Sequence, residues 1–260
     1  MPLSKSTIKL IHSLTVKKYR SLHGMFIAEG PKIVSELIES NLLVSGLYAL
    51  KQWIDENASV SAKVKSITCI TEQELSKISL LSTPNQVLAL VEIPQRIFQP
   101  ALAEKSMIIA LDDIRDPGNL GTIIRIADWF GFNHIVCSET CVDAYNPKTV
   151  QASMGSISRV NIYYEDLPLL LAQIQNTLPV YGAFLEGNPL YTESFAPNGF
   201  IVIGNEANGI SSEIEKLISY KISIPSGNQN KLHAESLNAS IATAIICSEF
   251  NRQRNIGNKY

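Results

Sequence analysis

The chain has 260 residues, a length that predicts two compact domains of ordinary size. Its composition, 45% hydrophobic and 18% charged with a formal net charge of −2, excludes a disordered chain and lacks the strongly basic character of many nucleic-acid binders. Apolar runs such as 107–111 and 241–246 are too short to span a bilayer, and no apolar signal segment opens the chain. We therefore expect a cytoplasmic protein with no membrane partner.

The first part of the chain alternates helical and extended patterns in short pieces. Helices are predicted near 5–18, from Pro31 and from Thr71, and strands near 26–27, 43–49, 66–70 and 87–92. This alternation is typical of a small α/β domain, which we place at 1–93. The prolines and polar residues of 94–106 show no sustained periodicity and predict a linker.

Residues 1–32 are locally basic, because six lysine and arginine residues stand against the single acid Glu29. One interpretation is an RNA-binding surface that includes Lys17, Lys18 and Arg20. The other is a solvated helix face that carries a few lysines. The segment alone does not decide between the two.

From residue 107 onward, strands and helices alternate across short connections. Strands are predicted at 107–112, 134–137, 160–163, 179–184, 200–203 and 221–224, and helices near 119–130, 147–156, 166–177, 211–219 and 235–250. This order predicts an α/β domain over 107–260, with a mainly parallel sheet covered by helices. Ligands of such sheets bind beyond the carboxyl ends of the strands, so those ends are where site residues are expected.

The four cysteines do not have the spacing of a metal site, because Cys137 and Cys141 form one close pair and no second pair exists. We expect no bound metal. Cys137 and Cys247 stand among aliphatic residues, which favours buried, reduced thiols.

The first polar segment beyond a strand is 112–132, where a Pro-Gly turn leads into a helix. Spacings of three and four place one set of apolar side chains in the core: Leu120, Ile123, Ile124, Ala127 and Phe130. Arg125 leaves that face and is free to meet a ligand, or to pair with Asp128 three residues on. Asn119 is a candidate ligand group or, alternatively, the N-cap of the helix.

The second segment, 199–211, runs from a buried strand into a glycine-containing loop. Gly204 and Gly209 allow close approach of the backbone to a ligand, or a positive φ. Glu206 is a candidate functional acid between them. The alternative is that its carboxylate accepts backbone hydrogen bonds within its own loop.

The third segment, 222–250, passes from a strand through Pro225 and a polar loop into a helix. Ser236 and Asn238 are predicted in its first turn, where free N–H groups are available to a ligand. The alternative is helix capping and packing. The residues predicted to point inward are Leu237, Ile241, Ala244 and Ile245.

Taken in order, these segments resemble the three motifs of the SpoU/TrmH branch of the SPOUT superfamily of RNA 2′-O-ribose methyltransferases. The patterns N-x-G-x-x-x-R, G-N-E-x-x-G and I-P…S-L-N are met by Asn119, Gly121 and Arg125, by Gly204, Asn205, Glu206 and Gly209, and by Ile224, Pro225, Ser236, Leu237 and Asn238. The resemblance covers roughly 107–250. The loop from Pro225 to Ser236 departs from it by being longer than is common and by lacking the usual Met after the proline.

The resemblance implies a deep trefoil knot near the C-terminus, S-adenosyl-L-methionine bound in that knot, and a homodimer formed by the catalytic domains. It implies a catalytic set of Asn119, Arg125, Glu206 and Asn238, and a cofactor-binding set of Gly204, Ile224, Ser236 and Leu237. The N-terminal residues are similar to an RNA substrate-binding domain found ahead of many family members.

The implied reaction is an in-line displacement in which a ribose 2′-oxygen attacks the sulfonium methyl group, the methyl–sulfur bond breaks and S-adenosylhomocysteine leaves. Alignment of the two reactants can contribute about 7–11 kcal/mol to such a step. A guanidinium stays protonated at neutral pH, so Arg125 is expected to hold an RNA phosphate and to stabilise alkoxide charge, with the proton acceptor left open.

Three alternatives remain at this point. The expected substrate is ribosomal RNA, with transfer RNA as the other candidate. A non-catalytic RNA-binding or ribosome-assembly protein of the same fold would lack methyl transfer. An enzyme of this fold that acts on a base nitrogen fits the motif residues Asn119, Arg125 and Glu206 less well.

Overall fold

The computed structural model of the protein describes residues 3–61, 63–227 and 236–257. The chain forms two compact units, one from residues up to Gln95 together with Asp143–Arg159, and the other from Arg96–Val142 and from Val160 onward. The first division, between Gln95 and Arg96, falls within the predicted linker 94–106. The second assigns 143–159 to the N-terminal unit, although the sequence places this segment inside the second domain.

The N-terminal unit is built on a four-stranded sheet. Its strands and helices up to residue 92 are β1 (Met25–Glu29), β2 (Val44–Leu50), β3 (Ile67–Ile70), β4 (Val87–Glu92), α1 (Lys5–Ser13), α2 (Lys17–His23), α3 (Pro31–Glu39), α4 (Lys51–Glu56), α5 (Ala58–Ser61) and α6 (Glu72–Ser76). The strand order is β1-β4-β2-β3, with β4 antiparallel to both its neighbours and β2 parallel to β3. The single helix predicted over 5–18 is in fact two helices.

Local signals explain where these elements begin. Pro31 occupies the first turn of α3, where its missing N–H costs nothing. Thr71 and Glu74 form a capping box at the start of α6. Ile11 and Leu14 are buried with Ile27 and Leu88 in one apolar cluster, so the sheet and the N-terminal helix share a core.

The C-terminal unit is built on a six-stranded sheet. Its elements are β5 (Met107–Leu111), β6 (His134–Ser138), β7 (Asn161–Glu165), β8 (Val180–Pro189), β9 (Gly199–Ile203), β10 (Tyr220–Ser223), α7 (Pro117–Phe130), α9 (Leu167–Ile174), α10 (Ser212–Glu215) and α11 (Ala239–Gly257). Helix α8 (Pro147–Ser153) belongs to the N-terminal unit. The strand order is β10-β8-β9-β5-β6-β7 and every pair is parallel. This confirms the predicted α/β class, and the trefoil knot implied by the resemblance is consistent with it.

The two central strands carry the core of this sheet. All residues of β5 and β9 are buried, as expected for parallel strands covered on both faces. Helix α7 buries the predicted face through Leu120, Ile123, Ile124 and Ala127, whereas Phe130 is only half-buried.

The predicted inward face of the last helix is wrong. Leu237 and Ile241 are 47% and 49% exposed, and the buried residues of α11 are Ala239, Ser240, Thr243, Ile246, Cys247, Glu249 and Phe250. Two apolar stripes along this segment fit a period of 3.6 residues, and the one that contains Thr243 and Phe250 packs inward. Thr243 Oγ1 satisfies its buried hydroxyl by donating to the carbonyl oxygen of Ala239 (2.7 Å).

The segment 143–159 is held within the N-terminal unit by an ion pair at each end. At its start, Asp143 accepts two hydrogen bonds from Arg20, at 2.8 and 2.5 Å. At its end, Arg159 pairs with Glu36 at 2.8 Å. Between them, α8 packs against β1, and the rings of Phe26 and Tyr145 lie 4.9 Å apart.

Three of the four cysteines, Cys137, Cys141 and Cys247, are buried free thiols, and Cys69 is exposed. Burial raises the pKa of the Cys247 thiol. Within the described residues, no cluster of His, Cys, Asp or Glu is suited to hold a metal ion. No helix in the described part of the chain is both long enough and apolar enough to cross a membrane.

Candidate active site at the carboxyl ends of the central strands

Two neighbouring strands deliver the first two motifs to one edge of the sheet. Leu111 at the end of β5 pairs in register with Ile203 at the end of β9. The N–H of Asp112 then donates to the carbonyl oxygen of Ile203 (2.9 Å), so strands β5 and β9 separate only beyond this point. The loops that carry Asn119 and Glu206 therefore leave the sheet side by side.

Side chains from all three motifs are joined by hydrogen bonds. Asn238 Nδ2 donates to Asn119 Oδ1 at 2.9 Å, and Asn119 Nδ2 donates to Glu206 Oε1. Asn238 and Asn119 are 119 residues apart in the chain. The carboxamide of Asn119 is thus oriented at both ends, and it presents Glu206 as an acceptor. We call Asn119, Glu206 and Asn238 the motif triad.

The alternative roles of Asn119 and Glu206 are taken by their neighbours. The N-cap of α7 is Asp116, whose carboxylate accepts from the N–H of Asn119 (2.8 Å), so Asn119 is not the cap. In the loop after β9, Asn205 Oδ1 accepts from the N–H groups of Ala207 (2.9 Å) and Asn208 (3.1 Å). Glu206 is therefore left to bond across to Asn119.

Asn238 also has a local role, as the alternative for the third segment foresaw. Its Oδ1 accepts from the N–H of Ser240 (3.0 Å) and from the N–H of Ile241 (3.4 Å) at the start of α11. This leaves Nδ2 to reach Asn119. One carboxamide thus caps the helix and fixes the helix to the first motif.

Arg125 lies on the exposed side of α7, two turns beyond the helix start. Among the ion pairs found in the described residues, none joins it to Asp128. The alternative of a surface pair is therefore not what the structure contains. An exposed cation on the helix that carries Asn119 is suited to meet an anionic substrate.

Three of the residues expected to hold the cofactor have backbone groups that are not used in hydrogen bonds to other described loops or turns. Outside the sheet ladders, no backbone hydrogen bond joins Gly204, Ile224 or Leu237 to another described residue. Ile224 is half-buried, and Ser236 and Leu237 are exposed. Unpaired N–H and C=O groups beside apolar side chains are what a ligand with a heteroaromatic ring requires. Residues 228–235 of the intervening long loop lie outside the described residues.

Gly204 is required by the path of its own loop. Its Asn205 neighbour pairs with Gly209 through two backbone hydrogen bonds, Asn205 N–H to Gly209 O at 3.0 Å and Gly209 N–H to Asn205 O at 2.9 Å. A Cβ at position 204 would lie 2.3 Å from the carbonyl carbon of Gly209. Only glycine permits this closed turn, which explains the first glycine of the second motif.

Sequence reasoning missed the residues that hold the first loop in place. Cys141 Sγ accepts from the N–H of Ile114 (3.2 Å), and its thiol donates to the carbonyl oxygen of Leu111 (3.2 Å). Ser138 Oγ accepts from the N–H of Asp113 (3.0 Å). A hydrogen bond from Cys137 lowers the pKa of the Cys141 thiol, consistent with its role as acceptor. The sequence signal was their position, because Ser138 ends β6 and Cys141 follows it, and β6 neighbours β5.

Of the three residues predicted to bind RNA, Arg20 must be removed. It is 2% exposed, and its guanidinium donates to Asp143 and to the carbonyl oxygens of Leu14 (2.8 Å) and Thr15 (2.9 Å). These four hydrogen bonds are all made inside the N-terminal unit. Lys17 and Lys18 are exposed on α2.

Comparison with known proteins places this geometry in a family. The profile of the SpoU rRNA methylase family matches residues 106–248, and that of the MRM3-like substrate binding domain matches residues 5–89. The chain is 29% identical, over 90% of its length and 91% of the other's, to the Bacillus subtilis 23S rRNA (guanosine-2′-O)-methyltransferase RlmP.

Solved structures agree with these matches over nearly the whole chain. A Porphyromonas gingivalis protein placed in the TrmH family has 33% identity and a TM-score of 0.84, covering 97% of this chain and 100% of that one. An AdoMet-bound rRNA methyltransferase from Sinorhizobium meliloti has 28% identity and a TM-score of 0.81, covering 97% and 96%. The protein belongs to the SpoU rRNA methylase family.

Proposed function

We propose that this protein transfers a methyl group from S-adenosyl-L-methionine to a ribose 2′-hydroxyl of RNA. The observation that carries the proposal is the motif triad, with the exposed cation of Arg125 on the helix that bears Asn119. When bound, S-adenosyl-L-methionine supplies a methyl group already activated on a sulfonium sulfur. The enzyme's own residues then have to bind the cofactor and the RNA, orient them and exclude water.

The cofactor would be held by the backbone of Gly204, Ile224 and Leu237, with Ser236 beside them. Their unpaired backbone groups support this assignment. Asn119, Glu206 and Asn238 fix the loops that carry these groups relative to one another.

Arg125 would hold the phosphate of the target nucleotide and stabilise negative charge on the ribose oxygen. A guanidinium is a permanent cation with a planar fork of donors, which suits a phosphate and the developing alkoxide. It is a poor proton acceptor for the same reason.

We propose ribosomal RNA as the substrate class, with transfer RNA as the alternative. The match of residues 5–89 to a substrate-binding domain supports RNA docking by the N-terminal unit. Its exposed Lys17 and Lys18 would contact phosphates. Both the B. subtilis and the S. meliloti relatives are named as rRNA methyltransferases. A ribosomal substrate also favours a cytoplasmic location.

The test is to map 2′-O-methylated riboses in total RNA from cells with and without the protein. We expect one ribosomal RNA position to lose its methyl group in the absence of the protein. A change confined to a transfer RNA would select the alternative substrate, and a lost base methylation would select the base-modifying alternative. No changed position, together with no binding of S-adenosyl-L-methionine by calorimetry, would favour a non-catalytic RNA-binding protein.

We also propose that the protein is a homodimer through its C-terminal unit. Trp129 on α7 is 83% exposed, and Leu237 and Ile241 at the start of α11 are about half exposed. Helices α7 and α11 pack against each other, and each leaves a large apolar side chain exposed outside that contact. Exposed apolar surface of this kind marks an interaction site.

Substituting Trp129 with glutamate is expected to convert the dimer into a monomer, because a charge in the interface would be desolvated without a partner. Analytical ultracentrifugation would show the change. Leu169→Glu is the matched control, since Leu169 is 59% exposed on α9, and it should remain dimeric. A wild-type protein that sediments at the monomer mass of 28.6 kDa would overturn the proposal.

A further inference from the structure

The side chain of Asn205 makes two hydrogen bonds within the loop after β9. Its Oδ1 accepts from Ala207 and Asn208, at 2.9 and 3.1 Å. Its backbone closes the turn with Gly209, whose φ is +67°. The side chain therefore defines the shape of the turn that contains Glu206.

The side-chain nitrogen of Asn205 makes a hydrogen bond outside the loop. Its Nδ2 donates to the carbonyl oxygen of Asp113 at 2.9 Å, in the loop between β5 and α7. Asp113 has a φ of +58°, a conformation that few non-glycine residues adopt. This bond joins the second motif to the loop that leads into Asn119.

A second hydrogen bond fixes the far end of the loop after β9. Asp112 Oδ2 accepts from the N–H of Ser211 at 2.7 Å, and Asp112 is only 5% exposed. The two ties lie on either side of Glu206 along the chain. They set the separation of the loops across which Glu206 meets Asn119.

We propose that Asn205 is a positioning residue that presents Glu206 to Asn119, a role that rests on the proposed methyl transfer. The role requires an acceptor for two N–H groups and a donor to one carbonyl on the same short side chain, which a carboxamide supplies and a carboxylate does not. Asn205 acts through Glu206 and does not itself meet the reacting atoms.

The test compares Asn205→Asp with Asn208→Asp. The first variant keeps an acceptor for Ala207 and Asn208 but sets a carboxylate against the carbonyl of Asp113. The second adds the same charge to the same loop at an exposed side chain. We expect kcat to fall by about 10- to 100-fold in Asn205→Asp, because misplacing a group by about 1 Å costs that much, with KM for RNA unchanged. Asn208→Asp should retain wild-type kcat.

A double variant distinguishes positioning from a general structural defect. If Asn205 acts through Glu206, Asn205→Asp should cost little further activity in a Glu206→Gln background. Losses that multiply, or a rise in KM that accompanies the fall in kcat and a lower melting temperature, would overturn the proposal.

A spectroscopic readout keeps this inference separate from the proposed function. With asparagine labelled by nitrogen-15, the Asn119 side-chain amide should exchange slowly in wild type and Asn208→Asp, and quickly in Asn205→Asp. Unchanged exchange in Asn205→Asp would disprove the positioning role even if no methyl transfer were found. A wild-type protein that is inactive on RNA would count against the proposed function, and the exchange result would still decide whether Asn205 has the positioning role.

Discussion

Replacing Arg125 with alanine is expected to lower kcat for methyl transfer by about 10²- to 10³-fold, the cost of removing one group that stabilises charge in a transition state. The affinity for S-adenosyl-L-methionine should stay close to wild type, because the residues assigned to the cofactor lie in other segments. Arg125 is exposed and contributes nothing to the apolar face of α7, so the variant should also fold normally. Single-turnover kinetics would measure transfer, and calorimetry would measure cofactor binding.

Two further variants sharpen this test. Arg125→Lys keeps the charge and loses the planar fork of donors, so partial activity would indicate that charge matters more than bidentate contact. Lys216→Ala removes an exposed cation elsewhere in the same unit and should leave kcat unchanged. Undiminished transfer by Arg125→Ala would disprove the role assigned to this side chain.

The strands and the site edge were predictable because both depend on local pattern. Buried runs such as Phe200–Ile203 read as central parallel strands, and the carboxyl ends of β5 and β9 had to meet at one edge. Periodicity also gave the buried face of α7 and hence the exposure of Arg125. The strands and the helix face need only the residues within one element, and the shared edge follows from the parallel order of the strands.

The hydrogen bonds of the motif triad were not predictable from local pattern. Asn119 could cap a helix as well as bond to Glu206, and only the position of Asp116 relative to the strand end decides which residue is the cap. Asn238 reaches Asn119 although β10 and β5 are separated by two strands in the sheet. That encounter depends on the tertiary path of the chain.

The errors have the same origin. The sequence of a basic segment is the same whether its side chains meet solvent or a buried acid. Arg20 bonds to Asp143, which is 123 residues away and could not be identified from the segment itself. Helix α11 carries two apolar stripes, and the one that packs against α7 is the less apolar of the two. In each case the partner that decides the outcome lies far away in sequence.

The reassignment of Arg20 leads to the second large effect. Arg20→Ala is expected to lower the free energy of unfolding of the N-terminal unit by about 3 kcal/mol, because it leaves the mostly buried carboxylate of Asp143 without its cation. The side chains of Arg20 and Asp143 are 2% and 13% exposed. Unfolding in urea can be followed by Trp53, which is 1% exposed in this unit, in a Trp129→Phe background that removes the only other tryptophan.

The neighbouring Lys18→Ala is the matched control, because it removes an exposed charge two residues away on the same helix. It should change the free energy of unfolding by no more than about 0.5 kcal/mol. It should nevertheless lower the affinity for RNA and make that affinity less dependent on salt concentration. The double variant Arg20→Met with Asp143→Leu should recover much of the lost stability, since neither charge is then buried alone. If Arg20→Ala unfolded at the same urea concentration as Lys18→Ala, the ion pair would not be what holds residues 143–159 in the N-terminal unit.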